Sequence, residues 1–173
     1  MHLPRKDSTG ICFIGERPFR DFLARYLDGA SGPIVTEDGL ELGRHDGLMF
    51  YTIGQRSGIG LGGRTGSPEL PWYVAQKDPA RNALVVVQGR GHPLLWSTRI
   101  ETLPAFWRSG AAPGAAAPFR GKARIRHRHE PAACQVRIRS DASLEVAFDE
   151  PQWAPAPGQY VVLYDGEQCL GGA

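Results

Sequence analysis

The chain has 173 residues, 42% of them hydrophobic, which is enough to bury the core of one ordinary domain or two small ones. Its formal net charge is only +2, so composition alone does not indicate a nucleic-acid-binding protein, and any basic surface must be local. The sequence has no apolar run of about 18 residues, no apolar leader and no CxxC pair among its three cysteines, so it predicts a cytoplasmic protein with no membrane partner and no disulfide framework.

The N-terminal region combines a cysteine loop with a predicted helix. The segment DSTGICFIGER, 7–17, places Cys12 in a glycine-punctuated loop beside charged side chains. In RPFRDFLARYL, 17–27, apolar residues recur at helical spacing after Pro18, which suits a first helical turn. The cysteine therefore precedes a helix N-terminus, a position that can lower the pKa of a thiol.

Two β-hairpins are predicted next, because glycines and prolines recur throughout the chain and favour short strands over long helices. PIVTEDGLELG, 33–43, predicts a hairpin that turns at Asp38-Gly39 through a type I′ turn. WYVAQKDPARNALVVVQG, 72–89, predicts a second hairpin around an Asp78-Pro79 turn.

The second half of the chain follows a break in composition at RSGAAPGAAAP, 108–118, which predicts an exposed loop. Beyond it, five segments alternate polar and apolar residues at intervals typical of a small β-barrel or sandwich: GKARIRHRH, CQVRIRS, SLEVAFDE, GQYVVLYDG and EQCLGG. The predicted fold class is mainly β. It comprises a cysteine loop over 1–17, a β-rich central domain with one helix over 18–98, and a C-terminal antiparallel β-barrel over 99–173. The sequence also predicts that the chain is part of a longer protein at both ends and that the barrel is truncated at its C-terminal end.

One barrel segment carries a row of positive charges. At the two-residue period of a strand, its cations share one face: Lys122, Arg124, Arg126 and Arg128. Such a row can track a phosphate backbone, although charged alternation more often marks only a solvated strand face. Arg137 and Arg139 are expected nearby on the next strand.

The remaining cysteines and two histidines give weaker signals. Cys134 and Cys169 fall at the apolar positions of their strands, so both are predicted to be core residues. His127 and His129 are close enough to Cys134 in sequence to suggest a metal site. No site is predicted, because the spacing matches no standard zinc pattern and a fourth ligand is not assigned.

Five segments carry a resemblance to a known family: DSTGICFIGER, GLMFYTIGQRSGIGLGG, PWYVAQKD, QGRGHPLL and FDEPQWAPAPGQYVVLYDGEQCLGG. Together they resemble the C-terminal half of bacterial tRNA-specific 2-thiouridylases, from Lys6 to Gly172 and in the family's order. The resemblance implies an enzyme that installs sulfur at C2 of the wobble uridine, position 34, of tRNA. The family's N-terminal ATP pyrophosphatase domain, with its SGGVDS-type loop, has no counterpart in this sequence, so the chain alone is expected to be inactive.

The resemblance also implies a role for Cys12. In the family, this cysteine receives a sulfane sulfur from a sulfur-carrier protein and holds it as a persulfide. After ATP has adenylated the uridine, the persulfide attacks C2 and AMP leaves. A cysteine of the N-terminal domain then forms a disulfide with Cys12 and releases the thiolated tRNA. The chain itself is expected to hold no cofactor, since ATP and Mg belong to the full-length enzyme. The implied partners are tRNA, the carrier protein and the N-terminal domain.

By the same resemblance, a tRNA-binding surface is expected on the barrel: Arg126, His127 and Gln159, extended by Lys122, Arg124 and Arg128. GIGLGG, 58–63, is interpreted as a loop near RNA or domain contacts rather than a nucleotide site, because no helix pattern follows it. Two alternatives stay open. One is a stand-alone RNA-binding β module whose cysteine is incidental. The other is a tRNA methyltransferase, a label attached to this family, for which no glycine-rich adenosylmethionine site is found.

Overall fold

The computed structural model describes residues 29–61, 70–113, 118–126 and 129–173. Strands in two sheets make up most of the regular structure in these residues, which confirms the predicted mainly β fold. Two short 3-10 helices, Leu48–Phe50 and Pro93–Leu95, accompany them. The helix predicted at 17–27 lies outside the described residues. Nothing in the described part of the chain is a helix both long and apolar enough to cross a membrane.

The first sheet has four strands: β1 Gly32–Val35, β2 Glu41–His45, β3 Trp72–Asp78 and β4 Ala83–Gln88. Strands β1 and β2 form one antiparallel hairpin and β3 and β4 the other, which confirms both predicted hairpins. A parallel pairing of β1 with β4, with Ile34 opposite Leu84, joins them in the order β2-β1-β4-β3. Local patterns could not predict this pairing, because it joins residues far apart in sequence.

The first hairpin turns differently from the prediction, and the type I′ turn at Asp38-Gly39 is wrong. The N–H of Gly39 donates to the carbonyl of Thr36 at 3.0 Å, so Glu37 and Asp38 are the central residues, and neither has a positive φ. Gly39 follows with φ of 89°, which makes a type I turn with a glycine bulge. A hydrogen bond from the Thr36 hydroxyl to the Asp38 carboxylate stabilises the turn and lowers the pKa of Asp38.

The second sheet has seven strands: β5 Trp96–Pro104, β6 Phe106–Trp107, β7 Phe119–Arg124, β8 Ala132–Ile138, β9 Ser143–Trp153, β10 Val162–Asp165 and β11 Gln168–Gly172. Their order is β5-β9-β8-β7-β10-β11-β6, and every pairing is antiparallel, as the predicted barrel requires. Each of the five alternating segments overlaps one of the strands β7 to β11, although β7 ends at Arg124, earlier than the predicted segment 121–129. The two edge strands, β5 and β6, were missed because edge strands need no regular apolar face.

Each sheet packs its own core, and the peptide after β9 joins the two. Trp153 and Ala154 pack into the core of the first sheet, and the N–H of Ala154 donates to the carbonyl of Leu95 at 2.6 Å. Gly54 makes this approach possible, because a Cβ at that position would lie 2.7 Å from Ala154 and 2.8 Å from the Trp153 ring. The structure therefore fixes one sheet against the other at this junction.

Cys134 lies in the second core with none of its surface exposed, which confirms the core position predicted from strand parity. Burial raises the pKa of its thiol from an ordinary value of 9.0 to about 11. The folded chain therefore disfavours the thiolate. Between pH 9 and pH 11, this group should lower the free energy of unfolding by up to about 3 kcal/mol, with no effect below pH 9.

Urea unfolding of the wild type and of a Cys134→Ala variant across this pH range checks the prediction. The variant loses a buried side chain and starts from a lower stability, but it should lack this part of the alkaline decline. Parallel pH profiles for the two proteins would contradict the prediction.

Candidate nucleic-acid interface

The basic row of β7 lies on the face of the second sheet that points away from its core. Ala123 and Ile125 are 1% and 5% exposed and belong to the core cluster. Lys122 and Arg124 alternate with Ala123 along β7 and therefore lie on the opposite face, and half-buried Arg126, two residues beyond the end of β7, follows buried Ile125 in the same alternation. Lys122 is exposed, and the two arginines are half-buried.

Three other cations on this sheet, Arg99, Arg120 and Arg139, are neutralised by carboxylates. Arg120 forms a two-pronged ion pair with Asp149, with N···O distances of 2.9 and 2.6 Å. This hydrogen bonding lowers the pKa of the Asp149 carboxyl. Arg139 pairs with both Glu101 and Glu145. The sequence predicts both Arg137 and Arg139 near the basic row. No described carboxylate lies within ion-pair distance of Arg137, whereas two carboxylates already neutralise Arg139.

The cations of the basic row differ in this respect. Among the residues that the structure describes, no carboxylate lies within ion-pair distance of Lys122, Arg124 or Arg126. Their charge is available to attract an anion, and a polyanion such as RNA would meet several such cations along one line. Sequence alone could not separate these cations from Arg139, since the difference depends on which side chains neighbouring strands bring close.

Arg126 also links the two sheets. Its Nη2 donates to the carbonyls of Ile53 and Ala154, both at 2.7 Å. Its guanidinium carbon lies 5.4 Å from the centroid of the Trp153 ring. Burial lowers the pKa of Arg126, but an arginine side chain stays charged at neutral pH. Arg126 therefore has a structural role in addition to any contact with a ligand.

Arg124 and Gln159 are brought to the same end of the sheet. The guanidinium of Arg124 lies 5.6 Å from the centroid of the Tyr164 ring, on the neighbouring strand β10. Gln159 is exposed and lies three residues before Val162, the β10 residue that pairs with Arg124. It lines a groove of about 430 Å³ at the junction of the two sheets, together with Ile53, Lys77, Trp96 and Ala154 among others.

Three predicted site residues lie outside the described residues: Cys12, His127 and Arg128. Their roles stay predictions. His129 is described, and its pKa is lowered first by burial and then by the nearby charges of Arg126 and Arg90. Within the described ranges, no three His, Cys, Asp or Glu side chains are grouped as metal ligands would be.

Two residues at the junction were missed by sequence reasoning. Trp153 ends β9, and its indole meets the Tyr73 ring edge-on with the centroids 6.2 Å apart. Arg90 lies on the exposed loop after β4, and its guanidinium carbon is 4.7 Å from the centroid of the Trp153 ring. No local pattern in the sequence relates these residues, because they belong to different sheets.

Two family models match the chain. The tRNA methyl transferase PRC-barrel domain matches residues 20–88, and the Aminomethyltransferase beta-barrel domain matches residues 97–173. The interval between the two matches falls at the loop and 3-10 helix that separate the first sheet from the second. The two matched regions therefore correspond to the two sheets.

Curated relatives resemble the chain over nearly its whole length. It is 51% identical to the tRNA-specific 2-thiouridylase MnmA of Francisella philomiragia. It is 52% identical to the proteins of the same name from Thiobacillus denitrificans and Chromohalobacter salexigens. Each similarity covers 97% of this chain but only 46%, 46% and 43% of the respective relatives. The chain thus spans a little under half the length of the curated relatives it matches.

Proposed function

The chain belongs to the family of tRNA-specific 2-thiouridylases, and from this premise we propose that it supplies the tRNA-binding surface and the sulfur-carrying cysteine of such an enzyme. The observation that supports tRNA binding most directly is the basic row of β7. Lys122, Arg124 and Arg126 share one face of the sheet and are not neutralised by described carboxylates, whereas Arg120 and Arg139 on the same sheet are. Lys122 and Arg124 would contact phosphates, while Arg126 would also hold the junction.

The proposed chemistry centres on Cys12. Its thiolate takes a sulfane sulfur from the persulfide of a carrier protein, which leaves the carrier as a thiol. The terminal sulfur of the new persulfide attacks C2 of uridine 34, and AMP leaves with the oxygen that adenylation had activated. A second cysteine attacks the Cys12 sulfur, so the S–S bond of the persulfide breaks and its electron pair stays on the sulfur bound to C2. The products are 2-thiouridine and a disulfide that an external thiol must reduce.

The adenylation step and the second cysteine belong, in this proposal, to a domain that the chain does not include. The isolated chain should therefore bind tRNA but should not thiolate it when ATP, Mg and a persulfide-loaded carrier are supplied. Filter binding at several salt concentrations measures the first property, and mass spectrometry of digested tRNA measures the second. Failure to bind tRNA, or thiolation by the isolated chain, would contradict the proposal.

The contribution of the basic row can be measured with a double variant, Lys122→Gln with Arg124→Gln. The magnitude of the slope of log K against log salt should fall by roughly 1.4 to 1.8, because two phosphate contacts are lost. Arg99→Gln is the matched control on the same sheet, since Arg99 is neutralised by Glu145 at 2.8 Å. It should keep the wild-type slope. Equal slopes for all three proteins would exclude this row as the binding surface.

A further inference from the structure

Two arginines, one from each sheet, lie over the same aromatic ring. Arg90 comes from the loop after β4, and Arg126 follows β7. Their guanidinium carbons are 4.7 and 5.4 Å from the centroid of the Trp153 indole. Guanidinium groups at such distances are attracted by the electrons of the ring, so Trp153 holds both cations at the junction of the two sheets.

This arrangement concentrates positive charge without a counter-ion from the described residues. Neither Arg90 nor Arg126 forms an ion pair with a described carboxylate. The charges of both arginines act on His129, where they add to burial in lowering the pKa of the imidazole. Two like charges near one half-buried indole repel each other, and an anion between them would remove that repulsion.

The cluster also has buried hydrogen-bond donors that no described acceptor satisfies, just as its positive charges have no described counter-ion. Two buried side-chain nitrogens of the cluster lack a hydrogen-bond partner among the described residues: Nε of Arg126 and Nε1 of Trp153. Both atoms are donors, so the cluster is short of acceptors rather than donors. A phosphate group carries several acceptor oxygens and a negative charge, and arginine binds it with two parallel hydrogen bonds.

We propose that Arg90 and Arg126, held by Trp153, form a binding site for one phosphate of an RNA backbone at the junction of the two sheets. The inference rests on the proposed tRNA binding and extends it from the barrel to the first sheet. Arg90 is exposed over the Trp153 ring, where a ligand can reach it, while Arg126 is fixed by its bonds to Ile53 and Ala154. One phosphate of a bound tRNA would therefore contact both sheets, which would help to position the tRNA at their junction.

The test is the salt dependence of tRNA binding by the whole 173-residue chain carrying Arg90→Gln. The magnitude of the slope of log K against log salt should fall by roughly 0.7 to 0.9, with affinity lowered roughly three- to tenfold near 0.1 M salt. Arg90→Lys should keep the slope, because it keeps the charge, and should recover part of the affinity. Arg90 is exposed, so both variants should stay folded, and the loss of one contact with the Trp153 ring should lower the thermal stability of Arg90→Gln only slightly.

Arg81→Gln is the matched control. Arg81 is an exposed cation of the turn between β3 and β4, in the same sheet as Arg90, and its neighbour Asp78 lies within ion-pair distance. Its removal should leave affinity and slope unchanged. If the affinity of the wild type for tRNA falls steeply as salt is raised, but Arg90→Gln has the same affinity and slope as Arg81→Gln, this inference fails and the proposed function stands. If the wild type does not bind tRNA, both fail.

Discussion

Replacing Cys12 by serine should abolish the loading of sulfur onto this chain and leave its affinity for tRNA unchanged. The measurement is the mass of the intact chain after incubation with a persulfide-loaded carrier protein, followed by peptide mapping of the added sulfur. The wild type should gain one sulfur atom on the peptide that contains Cys12. The serine variant should stay at its starting mass.

The physical reason is the chemistry of the sulfur nucleophile. A cysteine attacks as the thiolate, and the sequence predicts a loop beside Lys6 or Arg17 and before a helix N-terminus, a position that favours that form. A serine hydroxyl ionises far less readily and forms no stable bond to a sulfane sulfur, so it can neither accept nor hold the group. In the proposed function, RNA binding depends instead on the cations of the basic row, which the substitution does not change.

The other two cysteines supply the controls. Cys134 is buried and its pKa is raised to about 11, so little thiolate forms there at neutral pH. Cys169, on β11, is only half-buried and lies outside the core cluster, so its predicted core position is wrong. A Cys169→Ser variant should load sulfur as the wild type does. If the Cys12→Ser variant still gained sulfur, the proposed chemistry would fail. Intact tRNA binding would then favour the alternative of a stand-alone RNA-binding module.

The sequence predicted those parts of the fold that local patterns determine. Both hairpins of the first sheet and the strands β7 to β11 follow from alternation and turn residues, and all were found. The edge strand β5 was missed because an edge strand needs no regular apolar face. The parallel pairing of β1 with β4 was not predicted, because pairing between segments far apart in sequence produces no local sequence pattern. The turn at Thr36 to Gly39 differed because the hydroxyl and carboxylate of Thr36 and Asp38 stabilise a type I geometry there.

For the candidate site, too, local patterns predicted some features, whereas contacts between distant residues determined the others. Strand parity correctly placed Lys122, Arg124 and Arg126 on one face, opposite Ala123. It could not show that Arg139 is neutralised by glutamates of two neighbouring strands, nor that Arg126 bonds to the first sheet. Each of these facts depends on contacts across strands or between sheets. Net charge was uninformative for the same reason, since a nearly neutral chain can still concentrate unpaired cations on one surface.

The second large effect is expected from Arg126→Met, which should lower the free energy of unfolding by roughly 3 kcal/mol. Arg126 donates from one nitrogen to two carbonyls, those of Ile53 and Ala154, both at 2.7 Å. Ile53 is only 9% exposed and Ala154 is fully buried, so water cannot readily replace the lost donor. Methionine keeps most of the aliphatic volume of arginine, which limits the contribution of an empty cavity to the measured change.

Arg124→Met is the matched control, because Arg124 lies two residues earlier on the same face but only stacks on Tyr164 at 5.6 Å. Its loss should cost less than about 1 kcal/mol, the ordinary value of one partly exposed cation–π contact. Urea unfolding followed by tryptophan fluorescence measures both variants, and Trp153 reports on the junction itself. If the two sheets separate before they unfold, Arg126→Met should split the transition in two, whereas Arg124→Met should not. Equally small losses of unfolding free energy in both variants would show that apolar packing around Gly54 and Ala154 holds the junction. Arg126 would then have no structural role and could act only in RNA binding.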